Sequence, residues 1–133
     1  PGDIGTMMLL GRIYAGMKRY DDAVAMYTRV IGADPDMEEA YFRLGNVYME
    51  QKRYGEAESV FLRLAEKVPE NPIVHYHLGT IYFRQKDLER SEKAFARAVE
   101  LRPDFDSALY NLGVIKEIQG DLETAKTHYI KAL

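Results

Sequence analysis

The sequence predicts an all-α fold, a solenoid built from antiparallel helix pairs. The first observation is a repeat, because glycine recurs every 34 residues and proline keeps the same interval: Gly11, Gly45, Gly79 and Gly113, with Pro35, Pro69 and Pro103. The second is that apolar residues between these marks follow helical spacing. Self-similarity at this period is typical of a solenoid, in which stacked units bury one another's faces.

The period divides the chain into three complete repeats and one shorter repeat, spanning residues 4–37, 38–71, 72–105 and 106–133. Within each repeat the apolar residues form two blocks. Tyr41, Leu44 and Tyr48 are one such block, with the spacing of a single helix face. We therefore expect one helical hairpin per repeat, and a single domain over residues 1–133 that is a fragment of a longer protein.

Helix boundaries are marked along the chain. Asn71 before Pro72 is an N-cap followed by proline at the first helical position, which predicts the start of the third repeat. Proline disfavours helix in the residue before it, so the three periodic prolines should end the second helices. Polar turns are expected between the two helices of each pair, at 18–21, 52–55, 86–89 and 120–123.

The periodic glycines have a steric interpretation. Glycine within a helix costs roughly 1 kcal/mol relative to alanine, so four at one register need a compensating benefit. We expect a bare Cα at each position to let an aromatic ring of the paired helix rest against the backbone. The expected rings are Tyr27, Phe61, Phe95 and Tyr129.

The pattern is clearest in the second repeat: Leu44, Gly45, Tyr48, Ala57, Phe61 and Pro69. In residue type, order and period, the chain from Ile4 onward resembles the tetratricopeptide repeat. Four positions depart from the family pattern: Met7, His75, Ser91 and Lys116. His75 is expected to fill an interior packing site, and Lys116 in place of tyrosine suggests looser packing in the last repeat.

The resemblance implies a right-handed superhelix whose concave surface, lined by the first helix of each pair, binds peptides. The candidate peptide-binding residues on that surface are Arg12, Phe42, Arg43, Asn46, Met49, Tyr76, His77, Phe83, Arg84, Tyr110 and Asn111. Phe42, Tyr76 and Tyr110 occupy the same register in successive repeats and should form an aromatic column, which Met8 would extend. The alternative is that these rings serve only packing between repeats.

The polar members of the set favour an acidic or C-terminal peptide, since guanidinium groups bind carboxylates bidentately. These members are Arg12, Arg43, Arg84, Asn46 and Asn111. The alternative is that the arginines pair with Glu39, Glu50 or Glu117 on neighbouring turns. Relatives that clamp chaperone tails use a fixed set of Lys, Asn, Asn, Lys and Arg. Only Asn46 matches that set here, so a co-chaperone of that kind is not expected.

Composition and spacing disfavour other classes of function. The net charge is −3 with both signs mixed along the chain, which argues against nucleic-acid binding. The chain has no cysteine and no apolar run of about 18 residues, so we expect neither thiol chemistry nor direct membrane insertion. His75 and His77 point about 200° apart on a helix and cannot chelate one ion. No catalytic constellation is present, and we expect no enzyme, cofactor or metal.

The expected function is therefore a non-catalytic scaffold that binds a protein or peptide in its concave groove. The alternative is an assembly module that associates end to end. The expected end faces consist of Ile4, Met7 and Met8 at one end and Ile115, Leu122, Tyr129 and Leu133 at the other. The compartment is left open, with the cytoplasm favoured over the periplasm or secretion for a chain expected to be soluble.

Overall fold

The computed structural model describes residues 2–133, which contain eight helices and no strand. In order, the helices are α1 Ile4–Gly16, α2 Tyr20–Ala33, α3 Glu38–Glu50, α4 Tyr54–Lys67, α5 Pro72–Arg84, α6 Leu88–Leu101, α7 Asp106–Ile118 and α8 Leu122–Ala132. Each repeat supplies two consecutive helices that pack on each other. The predicted all-α fold and its helical hairpins are confirmed.

The chain forms two compact units, and each holds two repeats. The first unit ends at Lys67 and contains α1 to α4, whereas the second spans Val68–Leu133 and contains α5 to α8. Inside each unit the second helix of one pair also packs against the first helix of the next pair, α2 against α3 and α6 against α7. Each unit therefore consists of two helical hairpins joined by one packed junction between repeats.

Helix ends follow the predicted boundary signals. The second helices α2, α4 and α6 each end two residues before a periodic proline. Asn71 caps α5, since its Oδ1 accepts a hydrogen bond from the backbone N–H of Ile73 at 3.0 Å, and Pro72 occupies the first helical position. Asp87 and Asp121 cap α6 and α8 in a similar way. Local sequence therefore determines where these helices begin and end.

The turn inside each hairpin contains one residue in the left-handed region of backbone space. These residues share one register: Lys18 with φ 59°, Lys52 with φ 58°, Lys86 with φ 64° and Gly120 with φ 81°. The turn is closed by a backbone hydrogen bond reaching back five residues, as from the N–H of Arg53 to the carbonyl of Tyr48 at 2.9 Å. This geometry resembles a Schellman motif at the end of the first helix.

The glycine register is a contact between backbone and ring, as predicted. A Cβ added to Gly11 would lie 2.5 Å from the ring of Tyr27, and one added to Gly113 would lie 2.5 Å from the ring of Tyr129. Phe61 and Phe95 approach their glycines equally closely and are at most 1% exposed. These rings fill the centres of the helix pairs and hold their spacing.

Two of the four departures from the family pattern, Ser91 and His75, form hydrogen bonds. The buried Ser91 donates a hydrogen bond to the carbonyl of Gly79 at 2.8 Å. His75 Nε2 lies 2.7 Å from the Pro69 carbonyl, the register equivalent of the bond that the Tyr41 hydroxyl donates to Pro35 at 2.9 Å. His75 is half-buried and serves packing and hydrogen bonding together, whereas the interpretation from sequence considered packing alone.

Lys116 forms an ion pair at the register where each of the other repeats has a tyrosine ring beneath an arginine. Its Nζ lies 2.5 Å from Glu92 Oε1, and the two side chains are 21% and 30% exposed. Gln119 donates a further hydrogen bond to the same carboxylate at 3.3 Å. The ion pair joins α7 to α6, so the last two repeats share a polar contact that the sequence pattern did not predict.

Candidate peptide-binding faces

In the first unit, five candidate residues lie on α1 and α3: Arg12, Phe42, Arg43, Asn46 and Met49. Phe42 and Met49 are half-buried, while the two arginines and the asparagine are exposed. The ring of Phe42 lies 6.0 Å from that of Phe61, centroid to centroid. Met8 was expected to extend the aromatic register into the first repeat, but it is only 8% exposed, so this expectation was wrong. Its side chain is part of the core of the unit.

Arg43 is engaged by a neighbour on its own helix. Its Nε and Nη2 atoms both lie 3.1 Å from Glu39 Oε1, one turn earlier. This is the pairing considered from the sequence as an alternative to ligand binding. Both groups are exposed, and exposed pairs of this kind contribute little to stability. The Arg43 guanidinium therefore still has N–H donors that a ligand could bind, but a ligand carboxylate would compete with Glu39 for this side chain.

In the second unit, the aromatic candidates of α5 and α7 are both packed and accessible. The ring of Tyr76 lies 5.6 Å from that of Phe95 and stacks on Phe105 at 5.0 Å with an interplanar angle of 29°. The Tyr110 ring lies 5.6 Å from that of Tyr129, and the residue as a whole is 57% exposed. Packing and contact with a ligand are thus not exclusive roles for Tyr76 and Tyr110. Each of their rings rests on the ring that packs against a periodic glycine, Phe95 or Tyr129.

The remaining candidates of the second unit differ in how accessible they are. His77 lies beside Tyr76, 5.8 Å between ring centroids, and burial lowers its pKa, which favours the uncharged imidazole. Phe83 packs against the core of the unit. Asn111 is half-buried on α7, and Arg84 is exposed at the end of α5. Phe83 is therefore better placed for packing than for contact with a ligand.

An open hollow of about 550 Å³ lies in the second unit, where the beginnings of α5 and α7 meet the end of α8. It is lined by Tyr76, Asp106, Ser107, Tyr110, Asn111, Tyr129, Ala132 and Leu133. Three of these are predicted candidates. The others were missed as ligand-binding residues, although the spacing of Asp106 to Tyr110 and of Ser107 to Asn111 by four residues places each pair on one side of α7.

The described residues also bear on metals and membranes. Residues 2–133 contain no group of three or more His, Cys, Asp or Glu side chains placed to hold a metal ion. Over the same residues, none of the helices combines the length and the apolar character that crossing a bilayer requires.

Helix pairs repeating every 34 residues, each built on a glycine–aromatic contact, define the class of helical-hairpin repeat proteins. The sequence profile described as the tetratricopeptide repeat matches residues 8–72, 56–104 and 76–132. The chain belongs to the tetratricopeptide repeat family, and its fold is the all-α solenoid type of that family.

Solved structures agree with this assignment. MamA from Desulfovibrio magneticus RS-1 superposes with a TM-score of 0.86 at 27% identity, over 98% of this chain and 73% of that chain. A crystal structure of MamA superposes with a TM-score of 0.89 at 22% identity, over 99% of this chain and 77% of that one, and this second likeness concerns the fold alone. No curated protein matches the sequence. Family and fold support a protein–protein interaction scaffold, a class that is typically non-catalytic.

Proposed function

We propose that the chain is a scaffold that binds a peptide or protein segment on the exposed faces of its first helices. The observation that carries the proposal is Tyr110, a residue that is 57% exposed at the edge of the 550 Å³ hollow. Large apolar rings left open to water beside a concave surface are typical of binding sites. The family places its ligands on the same helices.

The rings of this face are held in place before any ligand arrives. Tyr76 packs against both Phe95 and Phe105, and Tyr110 packs against Tyr129. A side chain that is already ordered loses little conformational entropy on binding, so more of the contact energy contributes to affinity. A ligand side chain buried against these rings would contribute about 1.5–3 kcal/mol.

The test begins with a peptide selected on the chain from a random phage-displayed library. Its affinity is then measured for the wild type, for Tyr110→Ala and for a matched control, Leu62→Ala, an exposed apolar residue on the second helix α4. We expect Tyr110→Ala to weaken binding at least about tenfold and the control to change it less than twofold. Equal affinities for the wild type and Tyr110→Ala, with helical circular dichroism retained, would contradict the proposal.

A second candidate function is self-assembly through the end helices, and a register comparison in the first unit favours it. Leu10 and Ile13 of α1 are 36% and 56% exposed, whereas the equivalent Leu44 and Val47 of α3 are 4% and 3% exposed. On α8, Ile130 and Leu133 are also exposed. A second copy that placed its α1 on α8, as α7 packs on α6, would bury these side chains.

The end faces differ in detail from those expected from the sequence. Ile115 is fully buried, and Met7 is 5% exposed, because both side chains pack inside their own units. Sedimentation velocity over a range of concentrations tests the assembly. Ile13→Glu should shift the chain toward monomer, while Leu62→Glu should leave the distribution unchanged. A monomer at every concentration would contradict self-assembly.

A further inference from the structure

The hollow beside Tyr110 has an unusual combination of aromatic rings and negative charge. Its lining includes three tyrosines, Tyr76, Tyr110 and Tyr129, and one acidic side chain, that of Asp106. It includes neither lysine nor arginine. The negative face of an aromatic ring attracts a cation, and this attraction strengthens where water is partly excluded. The lining is therefore complementary to a positively charged group with an apolar stem.

We propose that this hollow binds a basic side chain, lysine or arginine, of the bound peptide. The inference rests on the proposed function, because it treats the hollow as part of the peptide-binding face. The aliphatic stem of such a side chain packs against the Tyr110 ring, and its charged head lies near Asp106. This polarity is opposite to the acidic ligand that the arginines predict from sequence.

The position of the carboxylate supports the assignment. Asp106 and Tyr110 are separated by four residues on α7, so they lie on one side of the helix about 5–6 Å apart at Cβ. A cation over the ring of Tyr110 would thus be within reach of the carboxylate. Among the described residues, Asp106 has no ion pair within 4.0 Å, whereas Asp104 pairs with Arg102 at 3.7 Å.

Neighbouring groups do not oppose a cation. Burial lowers the pKa of His77, next to Tyr76, and so favours its uncharged imidazole. The Tyr129 hydroxyl donates a hydrogen bond to Glu117 at 2.8 Å, which places a second carboxylate behind that ring. Arg102 lies over Phe105 at 4.7 Å and is absent from the lining. The charge facing the hollow is therefore negative.

The chain itself provides examples of the proposed contact. Arg90 lies 4.2 Å from the centre of the Tyr82 ring, and Arg53 lies 4.9 Å from that of Tyr48. Both of these rings belong to first helices and have their cation supplied by the same chain. Within the described residues, no guanidinium lies over Tyr110, which leaves that ring available for a cation from outside.

The test uses N-acetyl-lysine methylamide as the probe and N-acetyl-norleucine methylamide, which has the same stem without the charge, as its control. Both are titrated into the ¹⁵N-labelled chain at low ionic strength and followed by amide chemical shifts. We expect shifts centred on residues 106–111 and an affinity for the lysine probe at least about fivefold higher than for norleucine. Equal affinities, no shifts, or shifts centred elsewhere would overturn the proposal.

Three variants locate the binding site. Asp106→Asn and Tyr110→Leu should each remove most of the preference for lysine, while Asp104→Asn, a carboxylate two residues away and outside the lining, should leave it intact. An equal effect of Asp104→Asn would mean general electrostatic attraction and would overturn the proposal. The two proposals fail separately, because selected peptides can bind through Tyr110 without any lysine preference, and the lysine probe can bind where no peptide is captured.

Discussion

The ring of Phe95 rests on the bare Cα of Gly79, so that a Cβ added there would lie 2.7 Å from ring atom Cδ1. The same contact recurs in every repeat. Because Phe95 is 1% exposed and surrounded by other core side chains, it has no free direction in which to move. The helix pair therefore depends on the absence of one methyl group.

Gly79→Ala should destabilise the second unit by about 1–3 kcal/mol, because overpacking exceeds the roughly 1 kcal/mol gained in helix propensity. Gly32→Ala is the matched control, since its added Cβ would meet no described atom within 4 Å apart from the neighbouring backbone of its own helix. The control should be neutral or stabilising by up to about 1 kcal/mol. Urea unfolding of both variants measures the difference, and a Gly79→Ala variant as stable as the wild type would contradict the close contact.

The left-handed turn residues give a second prediction. Gly120 adopts φ 81°, a conformation in which a side chain is strained, whereas Lys86 carries that strain at φ 64°. We expect Gly120→Ala to lower the free energy of unfolding by about 1 kcal/mol and Lys86→Gly to raise it by a smaller amount. Thermal unfolding checks both signs. A stabilising Gly120→Ala would show that the turn has another geometry.

The buried hydroxyl of Tyr41 gives a third prediction. It donates to the Pro35 carbonyl at 2.9 Å, and its residue is 0% exposed. Tyr41→Phe should lower the free energy of unfolding by about 1 kcal/mol, which is the usual net contribution of one intramolecular hydrogen bond. Tyr54→Phe is the control, since the Tyr54 hydroxyl has no hydrogen bond to any described residue. Equal unfolding free energies for the two variants would argue against the bond.

The ion pair of Glu92 and Lys116 predicts a pH dependence. The hydrogen bond from Lys116, aided by Gln119, lowers the pKa of Glu92 below its ordinary value of 4.5. The folded state thus binds fewer protons than the unfolded state in this range, so the stabilisation is complete above about pH 5 and is lost as the pH falls through the folded pKa.

The measurement compares Glu92→Gln with wild type by urea unfolding at pH 7 and at pH 3. We expect a loss of about 1 kcal/mol at pH 7, within the range for partly exposed pairs, and a smaller difference at pH 3. Glu89→Gln removes a fully exposed pair with Lys93 on the same helix and should change little at either pH. A difference for Glu92→Gln that does not depend on pH would contradict the ion pair.

Sequence reasoning succeeded where contacts repeat with the period. The spacing of Gly79 and Phe95 is the same in all four repeats, so a steric requirement appears as a repeated residue type. The helix caps were also readable, because Asn71 and Pro72 act on backbone groups within a few residues. Interactions that are local or that repeat with the period can therefore be predicted from the sequence.

The candidate site was less predictable. Helical period indicated which residues share a face with Tyr110, but it did not indicate how deeply that face is covered. Met8 shares the register of Tyr110 yet is buried, and Tyr76 is partly covered by Phe105 from the following turn. Exposure depends on contacts from neighbouring helices, and those contacts differ from one repeat to the next.

The sequence alone determined that the chain consists of helical hairpins, where each begins and ends, and which ring lies on which glycine. Only the tertiary structure decided that Asp106, Tyr110 and Tyr129 surround one hollow, because these residues come from α7 and α8 and meet through packing. The physical reason is the separation along the chain between the residues that interact. Helix formation and capping depend on residues a few positions apart, whereas a binding hollow depends on side chains that only the folded stack brings together.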